Sequence, residues 1–241
     1  MAVAAVLAGG IASVVAFGIG SVLTPLFAWR MGTKLAVAAV SIPHFCATAY
    51  RFWLVRKSVD KQMLIAFGIT SALGGLTGAL LNAYATSPIL TIIFGLLLLF
   101  AGSSELTGLA QRMRFHGPLA WLAGALSGLL GGLVGNQGGI RSAAMLGLDL
   151  EKESFVATAT AVALAVDAAR MPVYLATEFS QISHSWLPVL IGIIGAVIGT
   201  VLGQRFLVRI SETLFRRSVA VLILALGLYM FAKGLLPILL H

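Results

Sequence analysis

Charged residues are scarce in this sequence, and their scarcity excludes a water-soluble fold. They make up 10% of the 241 residues, whereas soluble domains carry about 25%. Hydrophobic residues make up 59% of the chain, and the mean hydropathy is +1.02. This charged content is too low for the water-exposed surface of a soluble domain. The function is therefore expected to reside in segments that lie within a lipid bilayer.

Cysteine and the known enzyme motifs are also missing or rare. Cys46 is the only cysteine, which excludes an intramolecular disulfide and a cysteine ligand set for a metal. The sequence contains no His-Glu-x-x-His, Gly-x-Ser-x-Gly or Walker motif. We therefore predict that the chain is not an enzyme and holds no cofactor and no metal.

The net charge of +8 would indicate a nucleic-acid partner if the protein were soluble. In a membrane protein the same charge has a simpler explanation, because Lys and Arg in short loops retain those loops in the cytoplasm. No nucleic-acid partner is expected.

Long apolar runs recur along the whole chain. Each is about 20 residues long, which is enough to cross a hydrocarbon layer of roughly 30 Å as a helix. The runs lack the alternating polarity of barrel strands, so the predicted fold is an all-α polytopic membrane protein. The strongest runs are Met63 to Leu81, Pro88 to Leu109, Ser154 to Ala176, Trp186 to Gly203 and Val219 to Leu240.

The second half of the sequence follows the first at an offset of about 117 to 121 residues, which indicates an internal repeat. Ala49-Tyr-Arg51 matches Ala168-Ala-Arg170, and Gly74 and Gly78 match Gly195 and Gly199. Each half then contains four hydrophobic segments. The predicted repeats are residues 1–115 and residues 116–241, within one membrane domain.

Segments one (Ala2 to Trp29) and five (Pro118 to Leu148) differ from the others because glycines interrupt them. The interruptions are Gly18-Ile-Gly20-Ser21, with Pro25 following, and the stretch from Gly131 to Gly139, where helix propensity is poor. Unwound backbone at membrane depth persists only where protein or a watery cavity surrounds it. The two segments are either re-entrant hairpins or broken helices that still cross.

The loop charges favour the re-entrant alternative. If all eight segments cross, the basic loop residues divide five against seven, which defines no orientation. If segments one and five re-enter, ten basic residues lie on one side and three on the other, as the positive-inside rule requires. Each half then makes three crossings, so the second half is inverted relative to the first, as in many transporters. The three are Arg30, Lys34 and Lys233, and the ten are Arg56, Lys57, Lys61, Arg112, Arg114, Lys152, Arg205, Arg209, Arg216 and Arg217.

The glycine-rich interruptions are the first candidate binding site. Backbone N–H groups at an unwound turn and at the N-terminus of the following helix offer hydrogen-bond donors to an anion. Alternatively, such glycines only allow helices to approach closely. The candidate substrate-binding residues there are Gly18, Gly20, Ser21, Asn136, Gln137, Gly138, Gly139 and Arg141.

Ionisable residues within the spans are the second candidate, because charges are costly in lipid and mark functional sites. Arg51 and Arg170 join Arg141 as candidate anion ligands, although Arg51 could instead extend to the membrane surface. Asp167 lies three residues before Arg170, so the two can form a purely structural ion pair. His44 lies on nearly the same helix face as Arg51. It could accept a proton during transport or only hydrogen-bond a neighbouring helix, and His44 and Asp167 are the candidates for coupling.

Several of these stretches resemble one family when they are taken together. They are Gly135-Asn136-Gln137-Gly138-Gly139-Ile-Arg141-Ser142, Pro43-His44 with Arg51, and Val166-Asp167-Ala-Ala-Arg170. With the paired halves, each opening on a broken helix, they resemble the sulfite exporter TauE/SafE family of anion permeases. The resemblance covers essentially the whole chain, and its most specific part is Asn-Gln-Gly-Gly-x-Arg-Ser. It implies transport of sulfite, thiosulfate, sulfonates or related organic anions across a bacterial inner membrane.

The sequence departs from the family pattern in one respect. Many members carry a Gly-x-Gly-Gly-Gly run, an apolar stretch and a proline in both halves, whereas here the first copy is Gly18-Ile-Gly20-Ser21 with Pro25 and the second copy has no such proline. The second break, with Asn136, Gln137 and Arg141, is therefore expected to make most ligand contacts.

The expected function is a secondary transporter for a small anionic substrate, which is exposed alternately to each side of the bilayer. Arg51 and Arg170, near opposite ends of the path, would attract anions. A negative-inside potential favours anion exit by about 2.3 kcal/mol per charge at 100 mV, which favours export. An anion-selective channel and a non-transporting scaffold or accessory subunit stay open, as do the substrate, the coupling ion and a homodimer.

Overall fold

The structure, a computed structural model, describes residues 2–14, 19–112, 115, 117–135, 138, 141, 145, 150–206 and 212–239. In these ranges the regular structure is helical, as predicted, with one 3-10 turn at Arg56–Ser58. The α-helices with defined bounds are α1 (Ala2–Val14), α2 (Ile19–Met31), α3 (Thr33–Val55), α4 (Lys61–Tyr84), α5 (Ser87–Thr107), α6 (Leu109–Arg112), α7 (Pro118–Val134), α8 (Lys152–His184), α9 (Trp186–Phe206) and α10 (Glu212–Leu239).

Six helical stretches within the described ranges are long and apolar enough to cross a membrane. They coincide with the predicted segments two, three, four, six, seven and eight. Helices α1 and α7 are shorter, with 13 and 17 residues, and extend about 20 and 26 Å at 1.5 Å per residue. Neither length reaches across a hydrocarbon layer of about 30 Å. The six stretches are Thr33–Ser58, Lys61–Tyr84, Ser87–Thr107, Glu153–His184, Trp186–Gly203 and Arg217–Pro237.

Several glycines of the predicted breaks lie within helices. Gly20 and Ser21 lie in the first turn of α2 and are helical. Helix α7 continues through Gly131 and Gly132 and ends at Gly135, whose φ of 77° lies in the left-handed region. Glycine adopts this conformation without a steric penalty and commonly ends helices. The prediction that the second break begins at Gly131 was therefore wrong, because a helical glycine costs only about 1 kcal/mol and tertiary contacts outweigh that cost.

Glycines bring two pairs of helices into direct backbone contact. Gly74 and Gly78 of α4 lie on the backbone of α7, and the matching Gly195 and Gly199 of α9 lie on α1. A Cβ atom at any of these positions would overlap the partner helix, so small residues are required for this close approach. Helix α5 packs along α10, and α3 packs along α8. The first helix of each half therefore packs on the other half, which makes the two halves one body.

Helices α3 and α8 are joined by polar contacts at both ends. Ser58, just after α3, donates a hydrogen bond of 2.6 Å to Glu153 in the first turn of α8. Lys34 in the first turn of α3 lies 3.7 Å from the carboxylate of Glu178, near the end of α8. The two helices therefore run antiparallel along each other through the centre of the protein.

The α4–α7 contact yields a prediction about stability. We expect Gly78→Ala to lower the free energy of unfolding by about 1–3 kcal/mol, the usual cost of overpacking, because its Cβ would overlap the backbone of Leu129. Gly68→Ala on the same helix is the control, since its Cβ would meet only side-chain atoms of Leu64 and Val162 and no backbone. Thermal unfolding of the purified variants in detergent measures both. Equal melting temperatures for the two variants would contradict the close packing.

Candidate functional site

An ionisable cluster connects α3 and α8 in the middle of the protein. His44 Nδ1 lies 2.6 Å from Asp167 Oδ2, and Asp167 Oδ1 lies 2.7 Å from Arg170 Nη2. Asp167 is fully buried, and its neighbour Arg170 is almost so. Because an ionised carboxylate only accepts hydrogen bonds, His44 Nδ1–H is the donor to Asp167. Oδ2 of the buried carboxylate therefore accepts a hydrogen bond, and Oδ1 is balanced by the charge of Arg170, as a buried charge requires.

Arg170 also binds the end of α7. Its Nη1 donates a hydrogen bond of 2.5 Å to the carbonyl oxygen of Gly131, and the Tyr174 hydroxyl donates to that of Gly132. The last four carbonyl groups of a helix lack partners within the helix, and cations are favourable at this end of its dipole. Arg170 and Tyr174 thus satisfy the C-terminus of α7 where it ends inside the protein.

Arg51 makes the equivalent contact in the first half. It donates a hydrogen bond to the carbonyl oxygen of Ala12, near the end of α1. Arg51 and Ala12 are 39 residues apart, and so are Arg170 and Gly131. Both second-half residues follow their first-half counterparts by 119 positions, within the offset of the sequence repeat. The two halves therefore use an arginine in the same way, to hold the end of a short helix.

The two broken segments touch each other beside this cluster. Gly20, at the start of α2, lies so close to the carbonyl oxygen of Gly135 that a Cβ would not fit between them. Ser21 and Thr24 of α2 are buried, and their hydroxyl groups have no hydrogen-bond partner among the described residues. A buried hydroxyl without a partner is unfavourable, so these two groups mark a place for a polar ligand.

Arg141 adds a third guanidinium group to the cluster. It is buried, with 3% of its surface exposed, and its backbone is helical. It lies within electrostatic range of Arg51, Asp167 and Arg170. Arg51 and Arg170 therefore both interact electrostatically with Arg141, and their role in attracting anions stays a prediction. Three guanidinium groups and one carboxylate leave two net positive charges when His44 is neutral, which suits a small anion.

A comparison with known families identifies the family of the chain. The model of the family described as sulfite exporter TauE/SafE matches residues 1–230 of the chain. The chain belongs to the TauE/SafE family. The family that the sequence motifs suggested is thereby confirmed, and this TauE/SafE protein is a multi-pass membrane protein of a transporter family and not an enzyme. Searches of curated protein sequences and of solved structures returned no significant match.

Most of the predicted site residues of this TauE/SafE protein come together in the structure. Some form the ionisable cluster or bind a helix end next to it, namely His44, Asp167, Arg170, Arg141 and Arg51. The others, Gly20 and Ser21, lie at the contact between the two segments. Gly138 is buried and helical, whereas Gly18, Asn136, Gln137 and Gly139 lie outside the described residues. The carbonyl acceptors of α1 and α7 were missed. The signal that points to them is the burial of both helix ends, since such ends need partners for their carbonyl groups.

Proposed function

We propose that this protein is a secondary transporter of small sulfur oxyanions or organosulfur anions in the bacterial inner membrane. The anion binds between the two broken segments and is exposed to each side of the membrane in turn. One observation carries the proposal: Arg51 and Arg170 both interact electrostatically with the buried Arg141, and among the described residues Asp167 is the acid that offsets them. Charges inside a membrane protein are costly and are kept for function. An anionic substrate accounts for the two positive charges that remain.

The proposal includes re-entrant first and fifth segments, and two contacts support this topology. If all eight segments crossed, Ser58 and Glu153 would lie on opposite faces of the membrane, yet they are hydrogen bonded. Lys233 and the carbonyl oxygen of Ala28 would also lie on opposite faces, yet they are 3.1 Å apart. Re-entry brings each pair to one face. Re-entry also places ten basic residues on one face of the membrane and three on the other, as the positive-inside rule favours.

An inverted repeat is the second part of the proposal. The arginine-to-carbonyl hydrogen bond occurs once in each half, and so does the contact of a glycine-rich helix with the first helix of the other half. With three crossings in each half, the halves 1–115 and 116–241 are inverted relative to each other. Inverted repeats place their substrate near the midplane, between discontinuous helices. Rocking of the two halves around the α3–α8 contact would then open the site to each side.

The topology predicts a labelling pattern for single cysteines introduced into a Cys46→Ser background. We expect a membrane-impermeant maleimide to label Ser185→Cys in intact cells. Lys57→Cys and Glu153→Cys are expected to react only after permeabilisation, because both lie on the basic, cytoplasmic face. Eight crossing segments would instead make the cysteines at positions 57 and 185 react alike and would separate positions 57 and 153. That second pattern would contradict re-entry.

Anion binding is tested by thermal stabilisation of the purified protein with sulfite, thiosulfate, sulfate, sulfoacetate and phosphate. A ligand at about 100 times its Kd adds roughly 2.7 kcal/mol to the free energy of unfolding. A saturable rise in melting temperature with one anion class is expected. No rise with any anion in a folded sample would overturn the proposal and favour a scaffold.

Transport is tested separately in proteoliposomes by counterflow. Proteoliposomes that contain a carrier and are preloaded with unlabelled anion transiently accumulate labelled anion in their lumen. An anion channel does not, because its flux does not depend on exchange. Accumulation is the expected result, and simple equilibration would identify a channel.

A further inference from the structure

Arg170 already holds an anionic group, which belongs to the protein. Its Nη2 lies 2.7 Å from Asp167 Oδ1, and the carboxylate is completely buried. A carboxylate and a sulfur oxyanion present the same kind of acceptor oxygen to a guanidinium group. Asp167 is therefore an internal counter-ion that competes with a bound anion for Arg170.

His44 is the more exposed member of the His44–Asp167 pair. The His44 side chain is 17% exposed, whereas the Asp167 side chain is 0% exposed. Histidine is the side chain whose charge ordinarily changes near neutral pH. A proton that binds the second ring nitrogen of His44 removes the net negative charge of the His44–Asp167 pair, while the 2.6 Å hydrogen bond between them stays in place.

We propose that one proton is bound by the His44–Asp167 pair whenever an anion is bound, so that the transporter moves an anion and a proton together. This inference deepens the proposed function and rests on it. The proton turns His44 into a cationic partner of the Asp167 carboxylate, which weakens the hold of that carboxylate on Arg170 and raises the net positive charge of the centre from two to three. The anion in turn supplies the negative charge that makes the added proton favourable. Each therefore promotes binding of the other, since coupling between two sites is reciprocal.

The groups around the pair account for the direction of the effect. Arg51 on α3, Arg170 on α8 and Arg141 beyond the second break are all cationic, and they oppose a further positive charge on His44 until an anion offsets them. Tyr174 on α8 is directed to the carbonyl oxygen of Gly132. Helices α2, α4, α7 and α9, which pack on α3 or α8, contain no Asp, Glu or His. Helix α5 meets α3 near its start, at the hydrogen-bonded Thr33 and Thr91.

The experiment uses thiosulfate as the probe, because thiosulfate does not itself bind protons in the range studied. Its Kd for the purified full chain is measured from about pH 5.5 to about pH 8, where a histidine changes charge. Calorimetry in buffers of different ionisation enthalpy gives the number of protons taken up on binding. We expect affinity to rise as pH falls, by up to about tenfold per pH unit, and uptake to approach one proton per anion at the alkaline end.

Three variants separate this coupling from general effects of charge. Asp167→Asn removes the internal counter-ion and is expected to bind thiosulfate with little pH dependence and no proton uptake. His44→Gln is expected to reduce the uptake as well. Glu178→Gln is the matched control, because Glu178 is also a buried acid on α8 but pairs with Lys34. It should keep the pH dependence of the wild type.

The possible outcomes distinguish a failure of the proton coupling from a failure of the anion site. Thiosulfate binding without pH dependence or proton uptake in the wild type would overturn the coupling and leave the anion site standing. Uptake that persists in both Asp167→Asn and His44→Gln, or that is lost in Glu178→Gln, would also overturn it. No binding of thiosulfate or of any other anion in the panel would overturn the proposed function, and this inference with it.

Discussion

Replacing Arg170 with methionine is expected to lower the free energy of unfolding by about 3–5 kcal/mol, as is usual when one partner of a buried ion pair is removed. The substitution removes the ion-pair partner of Asp167 Oδ1 and leaves the hydrogen bond of His44 to Oδ2. It also removes the donor that binds the Gly131 carbonyl at the end of α7. Thermal unfolding in detergent measures the loss, with Arg112→Met, an exposed arginine at the end of α6, as the control.

A double variant shows whether the buried charge causes the loss. Asp167→Asn combined with Arg170→Met leaves no uncompensated carboxylate, so it should be more stable than Arg170→Met alone. The expected coupling energy is at least about 1 kcal/mol, within the usual range for residues in contact. If the effects of the two single substitutions simply add, Arg170 stabilises the protein only through its hydrogen bond to the end of α7. The ion pair then contributes nothing to the free energy of unfolding.

Local spacing was sufficient to predict part of this cluster. Asp167 and Arg170 are three residues apart on one helix, and the ion pair that this spacing allows is present. The six long spans and the two interrupted segments also followed from apolar length and glycine content, which are properties of single segments. Such features depend on neighbours along the chain, so one sequence contains the information that they require.

Contacts between helices could not be predicted from the sequence. His44 and Asp167 are separated by 123 positions, and nothing in the spacing of either residue selects the other. The repeat suggested that Arg51 and Arg170 are equivalent but did not identify their carbonyl partners. The start of the second break was placed at Gly131 for a similar reason. Helix propensity disfavours glycine there, whereas Arg170, Tyr174 and the contact of Gly132 with α4 hold that turn in the helix.

The two halves differ in one important respect at the centre. By the offset of 119 that relates Arg51 to Arg170, the counterpart of Asp167 is Thr48. Its hydroxyl lies 3.5 Å from His44 Nδ1, the same ring nitrogen that Asp167 contacts. The acid is therefore present in one half only, and Arg51 has no carboxylate at the equivalent position. This asymmetry leaves the centre positively charged. An exactly repeated acid would have cancelled the charge that attracts an anion.

Arg141→Gln is expected to weaken anion binding by at least about 30-fold, since losing a buried charged contact costs about 2 kcal/mol or more. Arg141 is buried beside Arg51 and Arg170 and follows the second break. Its loss therefore removes positive charge from the centre, whereas the hydrogen bond of His44 and the ion pair of Arg170 with Asp167 remain. Thermal stabilisation by the best anion of the panel gives the change in Kd, and the melting temperature without anion reports any loss of stability.

Two further variants make the Arg141 result specific. Arg141→Lys keeps the charge but loses the planar pair of donors that suits an oxyanion, so it should bind more weakly than the wild type and more tightly than Arg141→Gln. Arg56→Gln changes an arginine that stacks on Trp53 after α3, away from the centre, and should bind as the wild type does. An Arg141→Gln protein that is less stable but binds the anion with unchanged Kd would assign Arg141 to packing. The anion would then be held by Arg51, Arg170 and the helix ends alone.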